Sequence, residues 1–459
     1  MKRAAIVLAI GTASTALAQL PTTGRFISQL SWADTNMRDF MDLNDIRGGL
    51  LAISRNGVIV YQRGFGYHDD GEDQPMPENA LVRIASCTKP FTGAAIQQLV
   101  VAGDFDMTDN AFELGQVGGG VLNITPFGGL GDSRLRDVTV QQLLTHMGGW
   151  DRGAVGDWTY EECQIAGDMD VNSPPGRTNT MRWILGQSLQ FTPGARADYS
   201  NIGYLAAGLI VEQESGLSLI TYLRQNVLTP DMWVPSTDLR QGRTFQEDQP
   251  AREAYYDGGL DWCVFEGDCA PLRCSVLSDS AYGGWDHEAR IGQGGLVISS
   301  ATALEFMARY YVGSGSMFIG APVDADDSGS HGGALSGVNC RFWQRGDGTN
   351  VFIWFNKKND DEDGSNFASL FATRIDDELD TQTDWPTTAV DGFWVQPGTI
   401  GLGFLGSFNY PFQSFASANS QLTAGSKVNL KPGSEPGFIG TISTKMRLSA
   451  PLGLARLGG

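Results

Sequence analysis

The chain has 459 residues and a formal net charge of −20 at pH 7. This acidic balance argues against nucleic acid or an anionic membrane as a partner, because both bind basic surface patches. Hydrophobic residues make up 41% of the chain and aromatic residues 10%, which is typical of a folded protein and argues against disorder.

The first residues have the pattern of a secretory signal peptide. Lys2 and Arg3 precede the apolar run "AAIVLAI", and Ala16 and Ala18 form a small-x-small cleavage pattern. The run is too short to span a bilayer, and no other stretch is long enough for a membrane helix. We therefore predict a signal peptide over residues 1–18 and a secreted or periplasmic protein. The six cysteines agree with an oxidising compartment, where disulfides persist.

The remaining pattern predicts an α+β fold, in which an antiparallel sheet packs against a helical region. "GGLLAISRNGVIVYQRGFGYHDD" predicts a β-hairpin that turns at Asn56-Gly57. "TVQQLLTHM" and "NIGYLAAGLIVEQESG" predict helices, and "GGLVISSATALEFMARYYVG" predicts a turn followed by a helix. Two strands around Asp347-Gly348 and a closing helix in "NFASLFATRIDDELD" complete a main domain over residues 19–383.

Residues 235–290 of this domain are irregular and rich in glycine, aspartate and aromatic residues. A long segment without regular pattern indicates an insertion or a functional lid, and the alternative is a poorly patterned part of the core. Cys263, Cys269 and Cys274 predict at least one local disulfide, but their connectivity cannot be derived from spacing. The aromatic residues of the segment either line an acyl pocket or form a small core of their own: Tyr255, Tyr256, Trp262 and Trp285.

Residues 384–459 differ in composition, with few charges and many Gly, Ser and Phe residues. The stretch "GSFNYPFQSFASANSQLTAGSKVNLKPGSEPGFIGTISTKMRLSAP" resembles the opening coils of pectin-lyase-like right-handed β-helices. Only about one coil is present, too few to be stable alone, because solenoid repeats bury their faces by stacking. The resemblance implies a small β-rich C-terminal extension that rests on the main domain, and the alternative is a disordered tail.

The stretch "RIASCTKPFTGAAIQQL" places Ser86 and Lys89 one helical turn apart on a shared face. A serine hydroxyl is a poor nucleophile unless a base lies within hydrogen-bonding distance. Unpaired backbone amides in the first turn of a helix can stabilise an oxyanion. The apolar residues that follow would bury Lys89 and lower its pKa. The alternative is a capping serine beside a solvated lysine.

Two further motifs follow in order along the chain, Tyr199-Ser200-Asn201 and His331-Gly332-Gly333. S-x-x-K, then Y-x-N, then a basic residue followed by x-Gly resembles the signature of serine β-lactamase-like hydrolases. The flanking segments "VTVQQLLTHMGGW", "FTPGARADYSNIGY" and "GQGGLVISSATALEFM" are similar to the group of class C β-lactamases, D-alanyl-D-alanine carboxypeptidases and family VIII esterases. The resemblance extends from about Gly48 to Asp380 and implies a β-lactamase-like fold.

The resemblance also implies the chemistry of the first two motifs. Ser86 would be the acylated nucleophile and Lys89 its neighbouring base. Tyr199 would act with Lys89 as general base and acid. A phenol has a pKa near 10 in water, so we expect the charge of Lys89 to support a phenolate. Asn201 would bind the substrate or orient Lys89.

The third motif would form the other wall of the site. The backbone N–H groups of Ser86 and Ala334 would form the oxyanion hole, and Gly332 and Gly333 would leave space for substrate along an edge strand. His331 replaces the lysine that β-lactamases use to hold a carboxylate. Histidine is mostly neutral at pH 7, so an anion should be held more weakly there. This departure favours the esterase-like branch.

These features predict a secreted serine hydrolase, and a carboxylesterase above other types. The same chemistry also fits a β-lactamase, a D-alanyl-D-alanine peptidase or a D-amino-acid amidase, and a ligand-binding or sensor protein without catalysis is the third hypothesis. The expected partner is a small ester, amide or β-lactam. With four histidines and neither H-E-x-x-H nor C-x-x-C, we predict no metal ion and no cofactor. His146 is expected to hold the loop after its helix rather than to contact substrate.

Overall fold

The structure is a computed structural model of the chain. It describes residues 20–228, 238–313, 318–324, 326–357, 366–386, 389–390, 393–395, 413–414, 427–430, 433–435, 447–449 and 455–457. The predicted signal peptide and most of the predicted C-terminal extension lie outside the described residues. No helix in the described ranges combines the length and apolar composition needed to cross a bilayer.

The helices of the described residues are α1 Ser31–Leu43, α2 Lys89–Ala102, α3 Val140–Leu144, α4 Arg152–Val155, α5 Glu162–Met169, α6 Gly176–Leu185, α7 Asn201–Ser215, α8 Leu219–Tyr222, α9 Ser300–Met307 and α10 Phe367–Thr381. The strands are β1 Gly48–Arg55, β2 Val58–Gly66, β3 Leu81–Arg83, β4 Phe112–Glu113, β5 Leu122–Asn123, β6 Leu239–Gln241, β7 Leu260–Trp262, β8 Leu277–Asp279, β9 Leu296–Ser299, β10 Gly329–Leu335, β11 Val338–Gln344, β12 Thr349–Phe355, β13 Phe393–Val395, β14 Lys427–Leu430, β15 Gly433–Glu435, β16 Arg447–Ser449 and β17 Ala455–Leu457.

The main sheet is antiparallel, with the strand order β10-β11-β12-β1-β2. The predicted hairpin is its β1–β2 pair, and it turns at Asn56 and Gly57 with φ of 49° and 76°. Positive φ at both positions is what a two-residue hairpin turn requires, and Asn-Gly adopts it at little cost. The strand pair around Asp347-Gly348 is β11–β12, which places β10 at the sheet edge.

Both faces of the sheet are covered, and the residues of β1 alternate between two apolar cores. Leu51 and Ile53 pack into the core that α1 and α10 cover, where the ring of Phe40 lies 5.5 Å from that of Phe355. Leu50 and Ala52 pack into the larger core with α9 and the helical region. The centre of that region is α7, which is buried on nearly all sides and ends at Gly216 as predicted.

Strand β9 and helix α1 are among the elements that differ from the sequence prediction. Leu296–Ser299 forms strand β9 between β3 and β6, where a turn was predicted. Its four residues are fully buried, and a short apolar run cannot be distinguished from part of a helix by periodicity alone. Helix α1 was not predicted, although its buried face packs on the sheet beside α10.

The segment predicted as an insertion or lid is connected to the rest of the domain at several points. Strand β6 pairs with β9, and β7 and β8 form a small hairpin. The predicted local disulfide joins Cys263 to Cys269, and a second joins Cys274 to Cys163 of α5. Tyr256 and Trp285 are buried, whereas Trp262 is exposed.

The described strands near the C-terminus pair in parallel. Strand β14 lies between β13 and β16, and β15 pairs with β17. Parallel pairing of strands separated by longer segments is the arrangement of stacked solenoid coils. The extension over residues 384–459, its boundary and its placement against the main domain remain predictions.

Candidate active site

Ser86 lies in a short 3₁₀ turn, Ala85–Thr88, that leads directly into α2. The residue before it, Ala85, has a φ of 47°, a left-handed conformation that non-glycine residues seldom adopt. Such strained residues persist only where the surrounding structure holds them, and they are common at functional sites. The turn places Ser86 in the wall of an open cavity.

The first two sequence motifs meet at the Ser86 hydroxyl. Lys89 Nζ donates a hydrogen bond to Ser86 Oγ at 3.1 Å, and the Tyr199 hydroxyl donates another at 2.6 Å. Tyr199 comes from the loop that precedes α7, more than a hundred residues along the chain. The structure therefore brings together the three side chains that the motifs singled out.

Lys89 is fully buried, and all its hydrogen bonds are made inside the protein. Besides Ser86, Nζ donates to Asn201 Oδ1 at 2.7 Å and to the backbone oxygen of Gln293 at 2.8 Å. Burial lowers the pKa of Lys89 to about 7, while the carboxylate of Asp157 acts in the opposite direction. Near neutral pH a substantial fraction of this amine is unprotonated, which is the form that accepts a proton.

Tyr199 differs from the expectation of a phenolate. Burial raises its pKa to about 12, and the hydrogen bond with Ser86 reduces this rise only in part. The residue is 36% exposed, and its hydroxyl is hydrogen-bonded to Ser86. Lys89 Nζ lies 4.9 Å from the ring centroid, yet this proximity does not bring the pKa below its ordinary value. At neutral pH the phenol keeps its proton and is a donor.

His146 holds the loop that carries Tyr199. Its Nδ1 accepts a hydrogen bond from the Ser200 backbone N–H at 3.1 Å, and its backbone oxygen accepts one from the Asp198 N–H at 2.8 Å. The imidazole packs against the Tyr199 ring with 4.7 Å between centroids. Burial lowers the pKa of His146 to about 3, so the ring is neutral, and because Nδ1 accepts, its hydrogen lies on Nε2. His146 thus holds the loop before α7, whereas the prediction was that it holds the loop after its own helix.

Asn201 and an unpredicted carboxylate orient Lys89. Asn201 Nδ2 donates to Asp157 Oδ2 at 2.6 Å, which fixes the amide so that its oxygen faces the lysine. Sequence reasoning missed Asp157 because it lies in an irregular segment without a recognisable motif. It also missed Gln293, which contributes a backbone oxygen that no side-chain pattern can reveal.

The cavity above Ser86 has a volume of about 470 Å³ and is open to solvent. Strand β10 contributes part of the lining, and residues from α4 to the start of α7 contribute another part. Its lining residues are Ala85, Ser86, Arg152, Asp157, Tyr160, Tyr199, Asn201, Gln293, Gly294, Gly332, Gly333, Ala334, Leu335 and Asn366. The aromatic residues of the segment predicted as a lid are not among them.

The third motif lies within β10, the edge strand of the main sheet. Gly332, Gly333 and Ala334 line the cavity, whereas His331 lies beside it with Nδ1 2.9 Å from the Gly332 backbone oxygen. The His331 backbone oxygen accepts a hydrogen bond from the buried Cys87 thiol at 3.3 Å. The histidine that replaces the family lysine therefore forms no part of the cavity wall.

The two glycines differ in their surroundings. A Cβ at Gly333 would lie 2.3 Å from the Ile84 backbone oxygen, because β10 packs directly on the turn that holds Ser86. A Cβ at Gly332 would meet only Asn366 Nδ2, at 3.4 Å. Both glycines were expected to leave space for substrate, but only Gly332 does so. Gly333 lets the strand approach the Ser86 turn.

A family model described as Beta-lactamase matches residues 33–327, well over half of the chain. The chain belongs to the Beta-lactamase family. The predicted family and the β-lactamase-like α+β fold are thus confirmed. Proteins with the Beta-lactamase fold are serine hydrolases, and the cavity described above lies within the matched residues except for the strand β10 wall and Asn366.

Similar proteins show the same fold. Protein flp of Staphylococcus aureus (strain COL) is 27% identical over 198 residues, which cover 43% of this chain and 36% of that protein. The chain therefore spans about a third of the length of the curated relatives that it matches. The octameric penicillin-binding protein homologue from Pyrococcus abyssi superposes with a TM-score of 0.52 at 20% identity, covering 78% of this chain and 79% of that one.

The D-amino acid amidase from Ochrobactrum anthropi SV3, in its complex with D-phenylalanine, also superposes with a TM-score of 0.52. Its identity is 18%, and the match covers 76% of this chain and 99% of that chain. At these identities the two structures show the Beta-lactamase fold alone. No group of three or more His, Cys, Asp or Glu residues in the described ranges is placed to hold a metal ion.

The packing of β10 on the Ser86 turn gives a testable prediction. Gly333→Ala should lower kcat/KM for an activated ester by about 10²-fold, because a displacement near 1 Å at a catalytic centre has an effect of that size. Overpacking should also destabilise the fold by ~1–3 kcal/mol. Gly332→Ala is the matched comparison: its methyl group would meet only Asn366 Nδ2, so the stability of the fold should stay close to that of the wild type, while substrate space is reduced. Equal stability of the two variants would contradict the packing argument. Steady-state kinetics and thermal unfolding of both variants measure these effects.

Proposed function

We propose that this member of the Beta-lactamase family is a carboxylesterase that forms an acyl-enzyme at Ser86. The supporting observation is the convergence of Lys89 Nζ and the Tyr199 hydroxyl on Ser86 Oγ, at 3.1 and 2.6 Å. A nucleophile, a base with a lowered pKa and a protonated donor meet at one atom. That arrangement provides what acyl transfer requires.

The proposed reaction begins with neutral Lys89. Its amine accepts the Ser86 proton as Oγ attacks the ester carbonyl, and the backbone N–H groups of Ser86 and Ala334 stabilise the oxyanion. The Tyr199 phenol donates its proton to the leaving alkoxide and regains one from Lys89. Water then attacks the acyl carbonyl while neutral Lys89 accepts its proton, and that proton passes to Ser86 Oγ as the acid is released, which restores the Ser86 hydroxyl.

The wall formed by β10 favours esters over β-lactams and peptides. A β-lactam or a peptide C-terminus has a carboxylate that lysine of the third motif would hold. Here the wall consists of glycine, alanine and leucine residues, and His331 lies outside it. Ester hydrolysis requires no ion pair at this wall.

Intact-mass spectrometry after exposure to a substrate panel tests the proposal. The panel contains 4-nitrophenyl butyrate, nitrocefin, a D-Ala-D-Ala peptide and D-phenylalanine amide, with turnover of each measured in parallel. We expect the ester to be turned over fastest and to leave a butyryl adduct on the tryptic peptide that contains Ser86. Turnover of nitrocefin, the peptide or the amide alone would refute the esterase proposal and identify one of the alternative hydrolases.

We further propose that the protein is secreted. The two disulfides, Cys163–Cys274 and Cys263–Cys269, support an oxidising compartment. The same mass measurement, on protein expressed with its own N-terminus, reports whether residues 1–18 are removed. An intact N-terminus on exported protein would contradict cleavage after Ala18.

A further inference from the structure

Arg152 is a cationic side chain in the cavity wall. It is the first residue of α4, its side chain is 52% exposed, and it lines the cavity above Ser86. Its guanidinium carbon lies 5.4 Å from the centroid of the Tyr199 ring. Lys89, the other cation close to Ser86, is buried and makes its hydrogen bonds inside the protein.

The nearest carboxylate to Arg152 is already hydrogen-bonded to other groups. Asp157 accepts from Asn201 Nδ2 at 2.6 Å, from the Thr159 hydroxyl at 2.7 Å and from the Thr159 backbone N–H at 3.1 Å. Its side chain is only 14% exposed, and Arg152 Nη1 is 4.0 Å from Oδ2, beyond hydrogen-bonding distance. The guanidinium donors of Arg152 make no hydrogen bond with any of the described residues.

Arg196, a neighbouring arginine, differs from Arg152 in its ion pairs. Arg196 binds two carboxylates at close range, those of Asp151 and Asp198, and it does not line the cavity. A guanidinium with available donors in a substrate cavity fits a planar carboxylate, which it binds through two parallel N–H bonds. The net charge of −20 does not prevent this, because charges beyond about 8 Å are largely screened at physiological ionic strength.

We propose that Arg152 is a specificity-determining residue that binds a carboxylate of the substrate, so that the preferred substrates are anionic esters. This inference rests on the proposed esterase function. The anion site would then lie beside Tyr199 rather than at the third motif, whose His331 does not line the cavity. The carboxylate belongs either to the acyl group or to the alcohol group of the ester, and matched substrates distinguish the two.

The test compares pairs of similar substrates in which one member carries a carboxylate and the other does not. For the acyl side the pair is 4-nitrophenyl hydrogen adipate and 4-nitrophenyl hexanoate. For the alcohol side it is 4-carboxyphenyl hexanoate and its methyl ester. The ratio of kcat/KM within each pair is the measured quantity. A ratio is needed because Arg152 also contributes to the lowered pKa of Lys89, so its removal should slow all substrates together.

The variants are Arg152→Gln, Arg152→Lys and Arg243→Gln. Arg243 is an equally exposed arginine, at 51%, that pairs with Asp248 and Glu288 outside the cavity. In Arg152→Gln the anionic-to-neutral ratio should fall at least tenfold for one pair, mainly through KM. Arg152→Lys should retain part of the preference because it keeps the charge, and Arg243→Gln should leave the ratio unchanged.

Each outcome decides the inference. If the anionic-to-neutral ratio falls in Arg152→Gln but not in Arg243→Gln, a contact between Arg152 and the substrate is supported. The substrate pair that is affected shows which side of the ester carries the carboxylate. Equal slowing of both members of both pairs overturns it, because Arg152 would then act only through Lys89 and Tyr199. If the wild type hydrolyses no ester and forms no adduct, the proposed function fails as well. If esters are hydrolysed but the anionic-to-neutral ratio is unchanged in Arg152→Gln, the carboxylate site is overturned and the proposed esterase function is not.

Discussion

Ser86→Ala is expected to abolish hydrolytic turnover, with a loss on the order of 10⁶-fold in kcat, the size found when a serine nucleophile is removed. The acyl adduct should disappear together with turnover. Lys89 and Tyr199 both donate to this hydroxyl, so the substitution removes the atom at which the site converges. Steady-state kinetics and intact-mass spectrometry on the same samples measure both effects.

The same variant separates an enzyme from a ligand-binding or sensor protein. Ser86→Ala removes one oxygen from a cavity wall, so the fold and ligand binding should be preserved. Circular dichroism and thermal unfolding provide the control. Turnover equal to that of the wild type, or an adduct that persists on the peptide, would refute Ser86 as the nucleophile.

Much of the site could be predicted because its chemistry depends on side chains in short motifs. Ser86 and Lys89 are neighbours along the chain, and a helical turn brings them together whatever the rest of the fold. Tyr199 and Asn201 lie two residues apart where the chain enters α7, so their placement follows once that helix packs beside α2. The edge position of β10 likewise followed from the strand pattern and the family resemblance.

The rest depends on tertiary contacts that leave no motif. Gln293 acts through its backbone oxygen, and Asp157 reaches Asn201 from an irregular loop. His331 was expected to contact substrate, but its position beside the cavity depends on how β10 packs against the Ser86 turn. Strand β9 was missed for a related reason, since its identity follows from pairing with β3 and β6 rather than from its own four residues.

Lys89→Met should have an effect close to that of Ser86→Ala, because groups that act as a unit lose most of their activity when any essential member is removed. Methionine retains a long apolar side chain but removes the amine, leaving Asn201 Oδ1 and the Gln293 oxygen without their donor. Each unsatisfied buried acceptor should destabilise the fold by about 1–3 kcal/mol. Thermal unfolding therefore accompanies the kinetics, and a folded variant with wild-type kcat would contradict the assignment.

Tyr199→Phe should be less damaging, with a loss of about 10²–10⁴-fold in kcat, because it removes general-acid assistance and leaves the base in place.

The pH dependence of kcat/KM then identifies the base. Protonated Lys89 cannot accept a proton, so kcat/KM of the wild type should rise as pH increases through about 7, the pKa to which burial lowers this lysine. His146 does not account for this rise in kcat/KM, the rising limb of the pH profile, because burial lowers its pKa to about 3.

The decisive comparison is the position of the rising limb in Tyr199→Phe and Lys89→Met, measured with an activated ester and corrected for spontaneous hydrolysis. If Lys89 is the base, the limb stays near pH 7 in Tyr199→Phe and is lost in Lys89→Met. His331→Gln, which should keep the limb, separates Lys89 from the histidine beside the cavity. If the phenolate were the base, a pKa of about 12 would make the wild-type rate rise far above pH 7. A limb near pH 7 that survives in Lys89→Met would exclude the lysine. A limb that follows Lys89 leaves Tyr199 the donor step proposed above, in which the phenol protonates the leaving alkoxide and regains a proton from the protonated lysine.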